Sequence, residues 1–189
     1  MSADPLDSLQ AIIATLDEAG IDHMLAGSFA SSHHGVARST ADIDLVIEAD
    51  EAGFERLLTA LEDSRFYVPV ATARRERVLG GQFNLIDTRT GWKIDLIFRR
   101  DRPFSRVEFE RRRKATVAGV QLFVATAEDT ILAKLEWAAA SDSDRQLRDV
   151  VEMLRARAGD LDNAYLDLWA PELGIEVALA RTRDAESGK

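Results

Sequence analysis

Three aspartates are the residues of this chain best suited to do chemistry. Asp42 and Asp44 stand two apart in Asp42-Ile43-Asp44-Leu45-Val46-Ile47. Asp95 stands between apolar residues in Trp92-Lys93-Ile94-Asp95-Leu96-Ile97-Phe98. Side chains alternate between the two faces of a strand. Asp42 and Asp44 therefore share one face, and Ile43, Leu45 and Ile47 line the other. Two adjacent strands of this kind would gather three carboxylates at one spot. Clustered carboxylates repel one another and are costly unless a cation neutralises them. Hard oxygen ligands of this kind suit Mg²⁺, or Mn²⁺, completed by substrate phosphates.

The elements that must position these residues are legible from periodicity. Asp4 caps a first helix that starts at Pro5, carries Leu6, Leu9, Ile12, Ile13 and Leu16 at helical spacing, and ends at Gly20. Strands are expected over Ile21–Ala26 and Ala41–Ile47, with Gly27-Ser28 as a turn and a short helix over Phe29–His34. A helix over Ala52–Leu61 and a weak strand at Phe66–Val68 follow. Arg74–Leu79 reads as a short helix. Gln82–Asp87 and Trp92–Phe98 flank Thr88-Arg89-Thr90-Gly91, a hairpin signal. Phe104–Arg113 reads as a helix, and Ala115–Ala118 with Val120–Val124 as a small β element. From Thr126 onward the pattern is helical. Thr126 and Asp129 resemble a capping box, and Ser143 or Asp144 caps a helix burying Leu147, Val150, Val151 and Leu154. Two more helices are expected over Asn163–Ala170 and Glu172–Ala180, with a frayed end from Arg181 to Lys189. The fold class is α+β: a mixed β-sheet core flanked by helices over 1–125, then a helical C-terminal region over 126–189 packed on that core.

Composition bounds the function. The chain has 189 residues, 46% hydrophobic and 30% charged, with no cysteine. Thiolate metal sites and cysteine nucleophiles are excluded. No run approaches a membrane span, and the N-terminus lacks a signal core, so a cytoplasmic protein is expected. A net charge of −9 argues against broad electrostatic binding of nucleic acid. Arg99–Lys114 carries eight basic and three acidic residues, and Arg74, Arg75 and Arg77 form a second basic group. Both read first as solvated faces, and second as contacts for an acidic substrate. His33 and His34 have no partner histidine at ligand spacing. Walker, His-Glu-x-x-His and Gly-x-Ser-x-Gly motifs are absent.

Taken as a set, Ala26-Gly27-Ser28, a gap of thirteen residues, Asp42-Ile43-Asp44-Leu45 and the later Asp95 resemble the signature of the nucleotidyltransferase superfamily, the DNA polymerase β-like fold. Glu128-Asp129-Thr130-Ile131-Leu132-Ala133-Lys134-Leu135 and Arg148-Asp149-Val150 extend the likeness to small bacterial AbiEii-type proteins of toxin–antitoxin and phage-defence systems. The resemblance implies that Asp42, Asp44 and Asp95 are catalytic and hold Mg²⁺. Gly27 lets the backbone approach a phosphate. Ser28 offers a hydroxyl at a helix N-terminus that favours an anion. Arg38, Thr40, Lys134 and Arg148 complete the expected nucleotide-binding set.

The implied activity is Mg²⁺-dependent transfer of a nucleoside monophosphate from an NTP such as ATP to a hydroxyl of an RNA or protein. A cognate toxin or antitoxin chain, or a second copy of this chain, is the expected partner. Three other readings stand beside it. One is a catalytically silent nucleotide- or partner-binding protein of the same fold. One is a transferase acting on a small-molecule antibiotic. The third is a metal-dependent phosphohydrolase.

Overall fold

The structure is a computed structural model that describes residues 5–36, 42–141 and 143–188. Asp4, Arg38, Thr40 and Ala41 lie outside the described residues. The chain divides into two compact units, Met1–Phe29 with Ser39–Val124, and Ala30–Arg38 with Ala125–Lys189.

The first unit carries the sheet. Helix α1 (Pro5–Ala19) buries Leu9, Ile12, Ile13 and Leu16 of the stripe read from the sequence and leaves Leu6 half-buried, and Gly20 ends it at φ 69°. Then come β1 (Asp22–Leu25), α2 (Gly27–His33), whose residues from Ala30 on belong to the second unit, and β2 (Asp42–Glu48). Next are α3 (Glu51–Glu62), β3 (Phe66–Tyr67) and α4 (Val70–Leu79). The hairpin β4 (Gln82–Asp87) and β5 (Lys93–Phe98) follows, then α5 (Pro103–Arg111), β6 (Arg113–Val117) and β7 (Val120–Val124). Two sequence boundaries are corrected. Gly27-Ser28 is not a turn before a helix but its first two residues. Arg113 opens a strand rather than closing α5.

Seven strands form one mixed sheet in the order β3-β4-β5-β2-β1-β7-β6. At its centre β2 and β5 run parallel, and β1 pairs antiparallel with β2 on the other side. Ile43, Leu45 and Ile47 are fully buried, as the alternation requires. On β5 the register follows suit: Ile94, Leu96 and Phe98 are buried.

A buried carboxylate anchors the hairpin that carries Asp95. Asp87 is fully buried at the end of β4. It accepts from the Ser8 hydroxyl at 2.7 Å, Arg65 Nη2 at 2.6 Å and the Arg89 N–H at 3.0 Å. Burial pushes this carboxyl up, but the Ser8, Arg89 and Thr90 hydrogen bonds and the Arg65 charge outweigh it and hold the group below its ordinary range. Helix α1 and the hairpin turn are thereby tied to one point.

Several members of both basic groups are ion-paired, and Arg77 lies over the Phe54 ring. Arg99 pairs with Glu48, Arg106 with Asp101, and Arg112 with Asp22 while stacking on Phe109 and Phe123. Arg74 pairs with Glu55 and Arg75 with Glu76.

The second unit is helical: α6 (Ala127–Ser141), α7 (Asp144–Ala156), α8 (Asn163–Leu173) and α9 (Glu176–Glu186). Thr126 Oγ1 accepts from the Asp129 N–H at 3.2 Å, the N-cap bond expected of a capping box. The Thr126 hydroxyl then donates to Asp129 Oδ2 at 2.6 Å, and Tyr165 donates to Oδ1 at 2.6 Å. His34 Nε2 lies 2.8 Å from the Ala125 carbonyl, and burial lowers its pKa, which keeps the ring neutral.

Helix α7 buries Asp149, Val150, Met153 and Leu154, not the expected stripe that included Leu147 and Val151. The reason is polar: Lys134 Nζ donates to Asp149 Oδ2 and to Gln146 Oε1, each at 2.8 Å. One further sequence expectation is overturned. The segment expected to fray continues α9 to Glu186, held by buried Thr182 and by Arg183, which donates to Asp167 at 2.6 Å and Asn163 at 3.0 Å.

Candidate active site

The parallel pairing of β2 with β5 decides where the carboxylates meet. Asp44 is in register with Asp95, and Asp42 with Lys93. All four side chains belong to one face, because the two strands share the same alternation. Asp95 is almost fully buried, Asp44 is partly buried, and Asp42 lies nearer solvent.

Asp44 is the most constrained of the three. Burial raises its pKa first, and the charges of Asp95 and Asp42 raise it further. The Ser28 backbone N–H, which donates to its carboxylate, and the Lys93 ammonium act the other way. The balance leaves the group at about 6. Two carboxylates in register, with a third on the same face, account for a shift of that sign.

Gly27 has a role that the sequence alone did not disclose. It sits at φ 59°, and a Cβ built there would lie 1.9 Å from Asp44 Oδ2. The missing side chain makes room for the Asp44 carboxylate itself, and Ser28 turns its N–H onto the same group. The Ala26 N–H also donates to the Asp44 carbonyl at 2.9 Å. The segment after β1 thus clasps Asp44 from both sides of its backbone and side chain.

Gly27→Ala should therefore destabilise the protein strongly. The positive φ alone costs about 1–2 kcal/mol, and the clash adds to it. Urea denaturation of Gly27→Ala, alone and combined with Asp44→Ala, separates the two. Loss of the clash in the double variant should recover part of the difference and leave the backbone part. Equal losses in the two backgrounds would show that the carboxylate is not what Gly27 accommodates.

Lys93 was not singled out from the sequence, where it is one polar residue in a strand. In the structure its Nζ lies 3.0 Å from Asp95 Oδ2 and 3.6 Å from Asp42 Oδ2. Both carboxylates raise its pKa, through the hydrogen bond to Asp95 first. Among the described residues, no three His, Cys, Asp or Glu side chains are disposed to hold an ion together as they stand. Asp42, Asp44 and Asp95 nevertheless lie on one face of two adjacent strands, with Asp44 raised by burial first and by the other two charges next. The register that would have exposed Lys93 is a tertiary fact, invisible in one strand.

Lys134 and Arg148 belong to the second unit. Lys134 is buried against Asp149 and Gln146, and Arg148 is exposed on α7. Trp92 meets Phe29 edge-on at 6.3 Å between ring centres, beside Ser28 and Lys93 in the chain.

No family profile and no curated protein matches the sequence. Solved structures do. The solution structure of the antibiotic-resistance factor ANT(2'')-Ia superposes with a TM-score of 0.64 at 16% identity, covering 98% of this chain and 99% of that one. The chain has a nucleotidyltransferase-like fold. A nucleotidyltransferase-like antigen of Paracoccidioides brasiliensis aligns with a TM-score of 0.56 at 18% identity, over 95% of this chain and 94% of that one. The crystal structure of ANT(2'')-Ia with adenylyl-2''-tobramycin gives 0.53 at 16% identity, over 96% and 98% of the two chains. This nucleotidyltransferase-like sheet is the one in which Asp42, Asp44 and Asp95 fall on adjacent central strands. No helix among the described residues is long and apolar enough to cross a membrane.

Proposed function

We propose that this protein is a nucleotidyltransferase, moving a nucleoside monophosphate from an NTP such as ATP to an acceptor hydroxyl. The observation that carries the reading is the register of Asp44 against Asp95, with Asp42 on the same face. The nucleotidyltransferase-like fold supports it.

Asp42, Asp44 and Asp95 are the groups that hold Mg²⁺ or Mn²⁺ in this reading. When bound, divalent ions neutralise the triphosphate and the entering and leaving oxygens of an in-line displacement. The chain's own residues do the rest. Asp95 accepts the proton of the acceptor hydroxyl. The acceptor oxygen forms its bond to the α-phosphorus as the bond to the bridging oxygen breaks, and pyrophosphate leaves. Ser28 offers its hydroxyl to a terminal phosphate, beside the backbone of Gly27. Positioning and charge compensation, rather than a covalent intermediate, supply the rate.

Two acceptor classes follow from different observations. The AbiEii-type sequence resemblance favours an RNA or protein hydroxyl, with a cognate toxin or antitoxin chain as partner in the cytoplasm. The likeness to ANT(2'')-Ia over nearly the whole of both chains favours a small-molecule hydroxyl. The net charge of −9 also favours this second class, since it draws cationic acceptors and repels polyanions.

Incubation with each NTP labelled at the α-phosphate, with Mg²⁺ or Mn²⁺, decides among these. Total RNA, lysate protein and polyhydroxylated amines serve as separate acceptors, and the Asp42→Ala/Asp44→Ala variant as comparator. Label on one acceptor class, absent with the variant, is the expected result. Nucleotide binding without label in any arm would replace catalysis with a silent binding role, and release of free nucleotide or phosphate would make the protein a phosphohydrolase.

A further inference from the structure

We propose that Lys93 is an internal counter-cation for the carboxylate cluster, standing between Asp42 and Asp95 in the metal-free protein and giving way when a divalent ion binds. This rests on the reading of the three aspartates as a metal site.

The geometry carries the proposal. Lys93 lies two residues before Asp95 on β5 and directly across from Asp42 on β2. Its Nζ reaches Oδ2 of each, at 3.0 and 3.6 Å. An ion held by Asp42 and Asp95 would compete with Lys93 for the same two carboxylates. Both cations cannot be there: an ammonium is a compact, strongly hydrated point charge that repels a divalent ion at contact distance. The side chain has somewhere to go. It is 34% exposed, whereas that of Asp95 is only 9% exposed, so the lysine faces solvent and the carboxylate does not. A flexible four-carbon stem on an open edge of the cluster can swing out, while the aspartate stays fixed by the sheet.

The arrangement also answers a structural need. Asp42, Asp44 and Asp95 must be brought together whenever the chain folds, with or without metal. A resident ammonium offsets part of that repulsion. It has a cost at the binding step, because the ion must displace it. Lys93 is a positioning residue here and not a catalytic one: it acts on the aspartates and not on the reacting atoms.

Mn²⁺ titration of the nucleotide-free protein, with free Mn²⁺ read by electron paramagnetic resonance, tests this. Wild type, Lys93→Met, Lys93→Gln and Lys93→Arg are compared. Losing the competing charge should tighten Mn²⁺ binding about tenfold in both neutral variants. Lys93→Arg, which keeps the charge, should bind no more tightly than wild type. A second readout is melting: the neutral variants should be less stable without metal, and should gain more than wild type on adding Mn²⁺. The glutamine variant keeps a polar side chain at this half-exposed strand position, so the test survives if methionine impairs folding. Mn²⁺ affinity unchanged or weakened in the neutral variants, with wild type binding, would overturn the role of Lys93 and leave the metal site standing. No Mn²⁺ bound by wild type or any variant would overturn both.

Discussion

Asp44→Asn should abolish nucleotidyl transfer and at the same time make the metal-free protein more stable at pH 8. The two effects have one cause. Asp44 is raised to about 6 by burial and by the charges of Asp95 and Asp42, from an ordinary value of 3.8. Between those two pH values the folded state holds a proton that the unfolded state has released. Stability therefore falls as pH rises from about 4 to about 6, and the loss is complete above that. The full cost is up to about 3 kcal/mol. Asparagine cannot ionise, and its side-chain oxygen still accepts from the Ser28 N–H.

The melting temperature of Asp44→Asn should accordingly exceed that of wild type by roughly 5 °C at pH 8 in chelator, and the gap should close by pH 4. Transfer should fall by about a thousandfold or more, on the scale of removing a group that stabilises developing charge. Melting curves that run parallel across this pH range would show that Asp44 is not under the strain described. Wild-type transfer rates in the variant would remove Asp44 from the chemistry.

Asp149→Ala should be the most destabilising single change in the helical unit. Lys134 is 5% exposed and Asp149 no more open than 7%, and they meet at 2.8 Å. Removing the carboxylate leaves the buried ammonium with Gln146 but without the Asp149 charge, which typically costs about 3–5 kcal/mol. Replacing both partners with apolar residues, as in Lys134→Met/Asp149→Leu, should recover most of that loss, because no buried charge remains. Urea denaturation of the two variants measures the difference. A loss below about 1 kcal/mol for Asp149→Ala would mean that Lys134 finds water or another acceptor at little cost.

Much of this protein could be read from its residues, and the parts that could not share a physical reason. The β2 alternation placed Asp42 and Asp44 on one face, and the Thr88–Gly91 turn marked the β4–β5 hairpin. Helix α1 was legible from a strict apolar spacing. These are local patterns, set by periodicity and turn chemistry. Which strand lies beside which is not local. The register of Asp44 with Asp95 depends on a parallel pairing between strands that are not consecutive, and Lys93 gained its meaning only through that pairing. Gly27 was read as letting the backbone approach a phosphate, but the group that occupies the room at its Cα, the Asp44 carboxylate, comes from the next strand. Asp149 stood in the sequence only as part of Arg148-Asp149-Val150, and its buried partner Lys134 lies on the preceding helix. In each case the residue type was informative and the contact partner was tertiary.

The parallel contact between β2 and β5 also constrains the order in which the chain can acquire its charge cluster. Between the two strands the polypeptide must first lay down α3, β3, α4 and β4. Parallel neighbours cannot be joined by a tight turn, so this pairing is a non-local event that follows local structure in time. A chain still emerging from the ribosome with Asp42 and Asp44 in place, but not yet Lys93 and Asp95, holds only half of the cluster. Its repulsion and the counter-charge between its strands arrive together, on the same six-residue strand. Synthesis thus never exposes the complete acidic site without the lysine that offsets it.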